Sequence, residues 1–173
     1  MCKIETNSGK GSEITSTPLE IERKFLVPSI PENLQEFSHL SIRQGYMNVY
    51  KDSQTRLRQA GDRYFIATKK GRGLVREEFE RELGAVQFNA FWPSTAGRRV
   101  EKERYYVPHD GLMMELDIYK GKLKGLITAE VEFDSIEKSA QFVPPFWFGV
   151  DVTEDNSYKN SSLATFGIPQ DHS

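Results

Sequence analysis

The sequence contains a single cysteine, Cys2, and three histidines among 173 residues. One cysteine excludes an internal disulfide and a cysteine-based zinc site. His39, His109 and His172 are too scattered to show the spacing of zinc ligands. No apolar run reaches the roughly 18 residues of a membrane-spanning helix, and residues 1–18 lack the apolar core of a signal peptide. We therefore expect a cytoplasmic protein that makes no membrane contact.

The sequence also lacks an excess of charge of one sign, since it contains 23 basic and 25 acidic residues. The resulting formal net charge of -2 argues against a general nucleic-acid or membrane binder. Any site for a phosphate compound must therefore be local. The length is that of one ordinary domain, which can bury a core without disulfides or a structural metal. The sequence leaves the oligomeric state open, with a homodimer among the possibilities.

The chain divides into one domain between two polar tails. Residues 1–18 are rich in Ser, Thr, Gly and Lys and predict a flexible N-terminal tail, residues 19–168 a single domain, and residues 169–173 a C-terminal tail. Alternation and turn signals predict eight strands, at 19–27, 41–50, 54–60, 63–70, 74–83, 98–107, 112–119 and 126–133. Helices are predicted at 86–92, after Ser135 as N-cap, and at 158–166. This order indicates a mainly β member of the α+β class, an eight-stranded antiparallel β-barrel flanked by helices.

The first predicted strand carries an unusual row of charge. Successive side chains of a strand point to opposite faces, so Glu20, Glu22 and Lys24 share one face while Ile21 and Phe25 share the other. A charged row is costly to bury unless a metal or a counter-charge meets it. A face open to water is the plainer interpretation of one such row.

The same design recurs in seven strands. The acids on the polar faces are Glu20, Glu22, Glu78, Glu80, Glu115, Asp117, Glu130 and Glu132. The bases are Lys24, Arg56, Arg58, Lys69, Arg76, Lys102 and Arg104. If the barrel closes with its apolar faces outward under the helices, these charges line a wet tunnel. The alternative is an open sheet with one solvated face, and a one-residue slip in the fifth strand would replace Glu78 and Glu80 by Glu77 and Arg81.

A lining of both signs indicates a particular ligand chemistry. Arg binds phosphate oxygens in pairs and Lys adds a mobile point charge, so the bases suit a compact polyanion. The carboxylates would repel that anion unless a hard cation lay between them. Mg²⁺ or Mn²⁺ takes oxygen ligands and is commonly bound by one or two carboxylates plus substrate phosphates. The combination predicts a metal-bound polyphosphate.

Several motifs carry a resemblance to a known family. The pentad Glu20-Ile21-Glu22-Arg23-Lys24 is similar to the Glu-x-Glu-x-Lys signature of the CYTH superfamily, the triphosphate tunnel metalloenzymes. Further segments follow in that family's order, namely 56–58, 68–69, 76–80, 97–105, 115–117 and 130–133. Residues 152–155 and 158–160 resemble the small bacterial inorganic triphosphatase branch. The resemblance covers about 19–166 and implies an eight-stranded tunnel that binds a triphosphate with one or two divalent cations.

The resemblance also implies roles for individual residues. The implied metal ligands are Glu20, Glu22, Glu130 and Glu132. The implied phosphate-binding residues are Lys24, Arg56, Arg58, Lys69, Arg76 and Arg104. The implied catalytic residue is Lys102, at the position of a lysine proposed to activate water. Glu78, Glu80, Glu115 and Asp117 are supporting acids. The sequence leaves open whether Glu115 and Asp117 are metal ligands, supports of those ligands or partners of the tunnel arginines. Tyr158 and Lys159 are expected to help close one tunnel end.

The activity implied is hydrolysis of tripolyphosphate to pyrophosphate and phosphate. A free lysine has a pKa of about 10.4, so Lys102 acts as a base only if Arg104 and other cations lower its pKa, and otherwise positions water. Three other functions stay open. A class IV adenylate cyclase needs an adenine pocket, a thiamine triphosphatase needs a stacking ring such as Trp147 or Tyr46 at the mouth, and a non-catalytic module would bind polyphosphate without turnover.

Overall fold

The computed structural model of the protein describes residues 21–70 and 77–170. The eight strands are β1 (Ile21–Leu26), β2 (His39–Tyr50), β3 (Ser53–Ala60), β4 (Arg63–Lys70), β5 (Glu77–Leu83), β6 (Arg99–His109), β7 (Leu112–Tyr119) and β8 (Ile127–Phe133). Each predicted strand is present, and its ends agree within two residues where the chain is described. Three parts of the predictions lie outside the described residues: the N-terminal tail, the first part of the fifth strand and the last three residues. Glu20 and Arg76 also lie outside them.

Three short α-helices, α1 (Ala85–Phe91), α2 (Ile136–Gln141) and α3 (Asn160–Phe166), accompany the strands, with 3-10 helices at Leu34–Glu36, Trp92–Thr95, Gly121–Leu123 and Asn156–Tyr158. Ser135 is the N-cap of α2 as predicted, because its Oγ accepts a hydrogen bond from the Lys138 backbone N–H. The predicted last helix divides into a 3-10 turn and α3. Within the described ranges, each helix is too short or too polar to cross a bilayer.

The strands form one antiparallel sheet in the order β1-β8-β7-β6-β2-β3-β4-β5. Residues from all eight strands line one cavity, so the sheet is curled as the barrel prediction requires. Among the described residues, however, no hydrogen-bonded pairing joins β1 to β5, and the predicted closure of the barrel by strand pairing is absent.

The physical reason lies at the edge of β1. Here a later part of the chain occupies the backbone groups that β5 would need. The Leu26 N–H donates to the Val150 carbonyl over 2.8 Å, the Gly149 N–H donates to the Leu26 carbonyl over 2.7 Å, and the Val152 N–H donates to the Lys24 carbonyl over 2.8 Å. This pairing covers an edge that would otherwise be open.

The hairpin between β6 and β7 shows how local sequence sets strand length. The sequence Pro-His-Asp-Gly predicts a four-residue turn at 108–111, yet β6 continues through His109. Asp110 and Gly111 have φ angles of 47° and 76°, which matches the two-residue type I′ turn that fits the twist of paired strands. β6 is therefore longer than predicted, because the turn needs only two residues.

The largest apolar cluster covers the outer face of the β1-β8-β7-β6 side. Its buried members are Val27, Leu34, Tyr105, Val107, Met114, Leu116, Ala129, Val131 and Phe133. Trp147 and Phe148, from the aromatic loop 144–148, pack against this cluster as predicted. Phe146 in the same loop is fully exposed, so the expectation that the whole loop packs on the body is wrong for this ring.

A second outer cluster lies under α1, where Leu57, Leu83 and Phe88 are buried and Trp92 packs against them. The helical spacing of 86–92 predicts that its aromatic residues fill the core. This prediction is wrong for Phe91, which is 43% exposed, and Val86 is 84% exposed. A helix of seven residues has fewer than two full turns, so only a narrow stripe of it meets the sheet.

The third cluster lies on the inner face, near one end of the curled sheet. Val100 precedes Lys102 by two residues on β6 and points to the same side, where it meets Tyr46, Tyr119 and buried residues of α3. The Tyr119 hydroxyl donates to Asn160 Oδ1 over 2.8 Å. The charged interior therefore gives way to an apolar end filled by the C-terminal part of the chain.

Candidate active site

The curled sheet encloses a cavity of about 670 Å³. Charged side chains from seven strands line it, namely Glu22, Lys24, Arg56, Arg58, Lys69, Glu78, Glu80, Lys102, Arg104, Glu115, Glu130 and Glu132. The inward position of Glu78 and Glu80 confirms the register predicted for β5, and Phe79 between them is 76% exposed on the other face. The polar faces collected from the sequence thus converge on one space, while Glu20 and Arg76 fall outside the described residues.

Asp117 differs from the other predicted acids, because it lies behind the cavity wall with no exposed surface. Lys102 Nζ donates a hydrogen bond to Asp117 Oδ2 over 2.6 Å, and the Lys102 side chain is only 2% exposed. Burial lowers the pKa of Lys102, and the charge of Arg104 acts in the same direction, whereas Asp117 and Glu130 oppose them. Asp117 is therefore a partner of the cavity cations, one of the roles left open by the sequence.

Arg104 connects Asp117 to the carboxylates of the cavity wall. Its Nε donates to Asp117 Oδ1 over 2.7 Å and its Nη2 donates to Asp117 Oδ2 over 2.7 Å. The same guanidinium pairs with Glu115 and donates to Glu130 Oε2 over 3.2 Å. Burial acts to lower the pKa of Arg104, but Asp117, Glu130 and Glu115 outweigh it and raise that pKa. Arg104 is thus a permanent cation fixed between three acids.

Glu130 is the carboxylate where two strands and two cations meet. It lies opposite Lys24 in the register of β1 and β8, and its Oε1 is 3.0 Å from Lys24 Nζ. Burial acts to raise the pKa of Glu130, but the charges of Lys24, Lys102 and Arg104 hold it well below its usual range. Glu130 is therefore an anion at any ordinary pH.

Longer ion pairs cross the β3-β4-β5 side of the cavity. Arg56 Nη2 lies 3.8 Å from Glu78 and 3.7 Å from Glu80, and Lys69 Nζ lies 3.5 Å from Glu78. Arg58 Nη2 donates to Glu80 Oε2 over 3.1 Å. Within the described part of the chain, the buried Nε of Arg58 has no hydrogen-bond partner. Burial lowers the pKa of Arg58, and the charges of Arg56 and Arg104 act in the same direction, whereas Glu80 and Glu115 oppose them.

Glu22 and Glu132 form the part of the cavity best suited to a divalent cation. They lie directly opposite each other on β1 and β8, and like charges in that position destabilise a sheet unless a cation lies between them. The described residues contain no group of three or more acids or histidines that is close enough to hold a metal. Mg²⁺ commonly takes only one or two carboxylates and completes its shell with water and substrate phosphates, so this donor set fits.

Sequence reasoning missed several polar residues of the cavity wall. Gln44 is 2% exposed and donates from Nε2 to the Tyr46 hydroxyl over 3.0 Å. Alternation along β2 places Gln44 on the face of Ile42 and Tyr46, so this residue was within reach of the pattern. The C-terminal members of the wall lie in loops and short helices, where alternation gives no signal. Tyr158 and Lys159, which the resemblance places at one tunnel end, line the cavity together with Val152, Thr153, Asp155, Asn160 and Ser161.

An antiparallel eight-stranded sheet curled around a cavity of paired acids and bases is the architecture of the triphosphate tunnel metalloenzymes. No protein-family model matches the sequence. The chain is 48% identical over 148 residues to an inorganic triphosphatase of Nitrosomonas europaea, which covers 84% of this chain and 96% of that protein. It is 34% identical over 146 residues to an inorganic triphosphatase of Acetivibrio thermocellus, with 83% and 92% covered.

Solved structures agree with the sequence comparison. A crystal structure of an inorganic triphosphatase superposes with a TM-score of 0.70 at 44% identity, covering 87% of this chain and 97% of that chain. A protein of Pyrococcus horikoshii, with a TM-score of 0.50 at 18% identity over 70% of this chain and 84% of that chain, shares the fold. The chain belongs to the inorganic triphosphatase family, within the CYTH superfamily.

Proposed function

We propose that the protein hydrolyses inorganic tripolyphosphate to pyrophosphate and phosphate, and that it requires Mg²⁺ or Mn²⁺. The observation that carries the proposal is the buried Nε of Arg58 in the cavity wall, which has no acceptor among the described residues. A buried donor without an acceptor is costly, and a phosphate oxygen supplies one. The two curated relatives named inorganic triphosphatase support the choice of substrate.

The phosphate chain is held by cations from both sides of the cavity. Arginine binds phosphate oxygens with paired N–H donors, and lysine contributes a more mobile charge. The binding set comprises Lys24, Arg56, Arg58, Lys69 and Arg104, together with Arg76 from the sequence pattern. Since the described members of this set already lie within ion-pair distance of acids, the substrate exchanges some of those partners when it binds.

The metal would be held by Glu22 and Glu132, with Glu130 and Glu20 as the further ligands that the sequence pattern suggests. When bound, the cation neutralises charge on the phosphate chain and polarises a phosphoryl oxygen. Glu130 also forms ion pairs with Lys24 and Arg104, so its oxygens would be shared between these two side chains and the metal.

Hydrolysis transfers the terminal phosphoryl group to water. The water oxygen attacks the terminal phosphorus while the bond to the bridging oxygen breaks, pyrophosphate leaves, and the proton released by the water passes to a phosphate oxygen of the products. Lys102 and Arg104 stabilise the charge that spreads over the transferred group. Burial and the charge of Arg104 lower the pKa of Lys102, whereas its 2.6 Å hydrogen bond to Asp117 favours the ammonium form. We assign Lys102 this form, in which it positions the reacting groups without accepting the proton.

Thiamine triphosphatase activity is less well supported by the geometry. The two rings considered for stacking on thiamine were Trp147 and Tyr46. Trp147 packs against the outer cluster, away from the cavity. Tyr46 reaches the cavity wall but is 2% exposed, so it offers no open ring face. An inorganic chain needs no such surface.

The test is an assay of the purified protein against tripolyphosphate, ATP and thiamine triphosphate, with and without added Mg²⁺ or Mn²⁺. We expect phosphate release from tripolyphosphate to exceed the other two substrates, to vanish in excess chelator and to return when the metal is restored. Cyclic AMP from ATP is measured in parallel. Full activity in chelator would disprove the metal requirement. Preferential formation of cyclic AMP from ATP would disprove the proposal that tripolyphosphate is the substrate.

A further inference from the structure

The carboxylate of Asp117 receives three hydrogen bonds from two cations. Its Oδ2 accepts from Lys102 Nζ and from Arg104 Nη2, and its Oδ1 accepts from Arg104 Nε, at distances of 2.6, 2.7 and 2.7 Å. Asp117 has no exposed surface. Unlike the other described acids on the inner face, this carboxylate does not line the cavity.

We propose that Asp117 is a positioning residue that holds Lys102 and Arg104 together as one unit aimed at the transferred phosphoryl group. The inference deepens the proposed function and rests on it. It also separates Asp117 from the acids of the cavity wall, since the carboxylate is already saturated with cationic donors and is shielded from the metal site. Asp117 therefore acts on the reaction only through its two partners.

The need for such a residue follows from the charges around Lys102. Lys102 and Arg104 stand on the same face of β6, and both are largely buried, with 2% and 11% of their side chains exposed. Two like charges so close repel each other unless an acid lies between them. The other groups that face Lys102 are Glu130 on β8 and the Tyr119 ring on β7, whose centroid is 5.5 Å from Lys102 Nζ.

The register of the sheet explains why an aspartate meets both cations. Asp117 lies opposite Arg104 in the β6–β7 pairing, and Tyr119 lies opposite Lys102. A direct cross-strand pair brings Asp117 to Arg104, and the neighbouring diagonal position is within reach of the long Lys102 side chain. An asparagine in the same place keeps the shape but loses the negative charge and one acceptor oxygen.

The decisive experiment is a double-mutant cycle between Asp117→Asn and Lys102→Ala. In the presence of Lys102, we expect Asp117→Asn to lower kcat by about 10- to 100-fold, the range typical of residues that orient a functional group from behind. In the Lys102→Ala background, the same substitution should lower kcat by a factor at least about threefold smaller, because only its effect through Arg104 remains. Equal losses in both backgrounds would overturn the proposal, since they would indicate a purely structural role.

A matched control is Glu103→Gln. Glu103 also accepts a hydrogen bond from a lysine, Lys120, over 2.8 Å, but it points away from the cavity. This variant should keep wild-type kcat. A comparable loss of kcat in the control would show that any charge change on β6 disturbs the enzyme, and it would overturn the specific role of Asp117.

A readout independent of turnover is the NMR signal of the Lys102 ammonium group. A buried ammonium held by a carboxylate exchanges its protons slowly, so the signal should be visible in the wild type and disappear in Asp117→Asn. Asp117→Glu, which keeps the charge, should retain the signal if the asparagine variant does not fold. A signal that persists unchanged in Asp117→Asn would refute the proposal, even if tripolyphosphate proved not to be the substrate.

Discussion

The two sides of the cavity differ in how their ion pairs are built. On the β1-β8-β7-β6 side, the pairs of Lys102 with Asp117 and of Lys24 with Glu130 measure 2.6 and 3.0 Å. On the β3-β4-β5 side, the pairs of Arg56 with Glu78 and of Lys69 with Glu78 measure 3.8 and 3.5 Å, while Arg58 and Glu80 form a shorter pair of 3.1 Å. The side chains of the first group are at most 14% exposed, whereas Lys69 is 39% exposed.

This difference separates two tasks. Short, buried pairs have fixed positions and are costly to disrupt, so they suit groups that must be in place before the reaction. Longer, more hydrated pairs lose little when a partner is exchanged, so they suit groups that capture the phosphate chain. We therefore expect substitutions on the short-pair side to affect turnover and stability, and substitutions on the long-pair side to affect mainly substrate affinity.

The largest effect is expected from Lys102→Ala on the short-pair side. Removal of a cation that stabilises the transferred group should lower kcat by about 10³-fold, which steady-state assays of phosphate release will measure. Lys120→Ala is the control, because Lys120 is 52% exposed and pairs with Glu103 outside the cavity. If Lys102→Ala raised KM without lowering kcat, the assignment of Lys102 to the transition state would be wrong.

The second largest effect is expected from Glu130→Gln, which should lower kcat by about 10²-fold. The same substitution should also lower the free energy of unfolding. The substitution leaves Lys24 and Arg104 without the anion between them, and breaking a buried ion pair costs about 3 kcal/mol. Chemical denaturation of the metal-free protein measures this loss. A variant as stable as the wild type would show that the short-pair side contributes no stability.

The pH dependence of stability tests the same residue. Since folding lowers the pKa of Glu130, its contribution is fully present above the pKa of an unfolded glutamate, about 4.3, and is lost as pH falls toward the lower pKa of the folded state. The stability difference between wild type and Glu130→Gln should therefore stay constant from pH 7 to 5.5 and shrink below about pH 4. A difference that grew in acid would contradict the lowered pKa.

The smallest effect is expected on the long-pair side. Arg56→Ala should raise KM for tripolyphosphate by about tenfold, because the loss of one charge-assisted contact of roughly 1.4 kcal/mol corresponds to that factor. The change in kcat should be less than about threefold. Arg63→Ala is the control, because its pair with Glu82 is 62% and 52% exposed and lies outside the cavity. A loss of kcat as large as that of Glu130→Gln would remove the distinction between the two sides.

Strand positions and faces were predictable from the sequence because they depend on local alternation. The charged faces of β3 and β8 converge on the cavity as expected, and Glu78 and Glu80 point inward as the chosen register requires. The closure of the barrel was not predictable in this way. The residues that pair with β1 instead of β5 lie more than 100 positions further along the chain, in a segment without strand periodicity.

Among the acids, the pattern alone gave one polar face to Asp117, Glu115 and Glu22 without separating their roles. The structure separates Asp117 because register and depth place it behind the wall, where two cations saturate it. The C-terminal wall was also out of reach, since Asn160 and Ser161 meet the cavity only after α3 has packed on the inner face.

The sequence by itself determined which side chains share a face, since a strand alternates with a period of two and each charge is assigned by counting residues. Only the tertiary structure decided which acid meets which base. Distances such as that between Lys24 and Glu130 depend on pairing between β1 and β8, which are remote in the chain. Electrostatic energy depends on those distances and on burial, so the division of the cavity into two sides arises when the sheet curls.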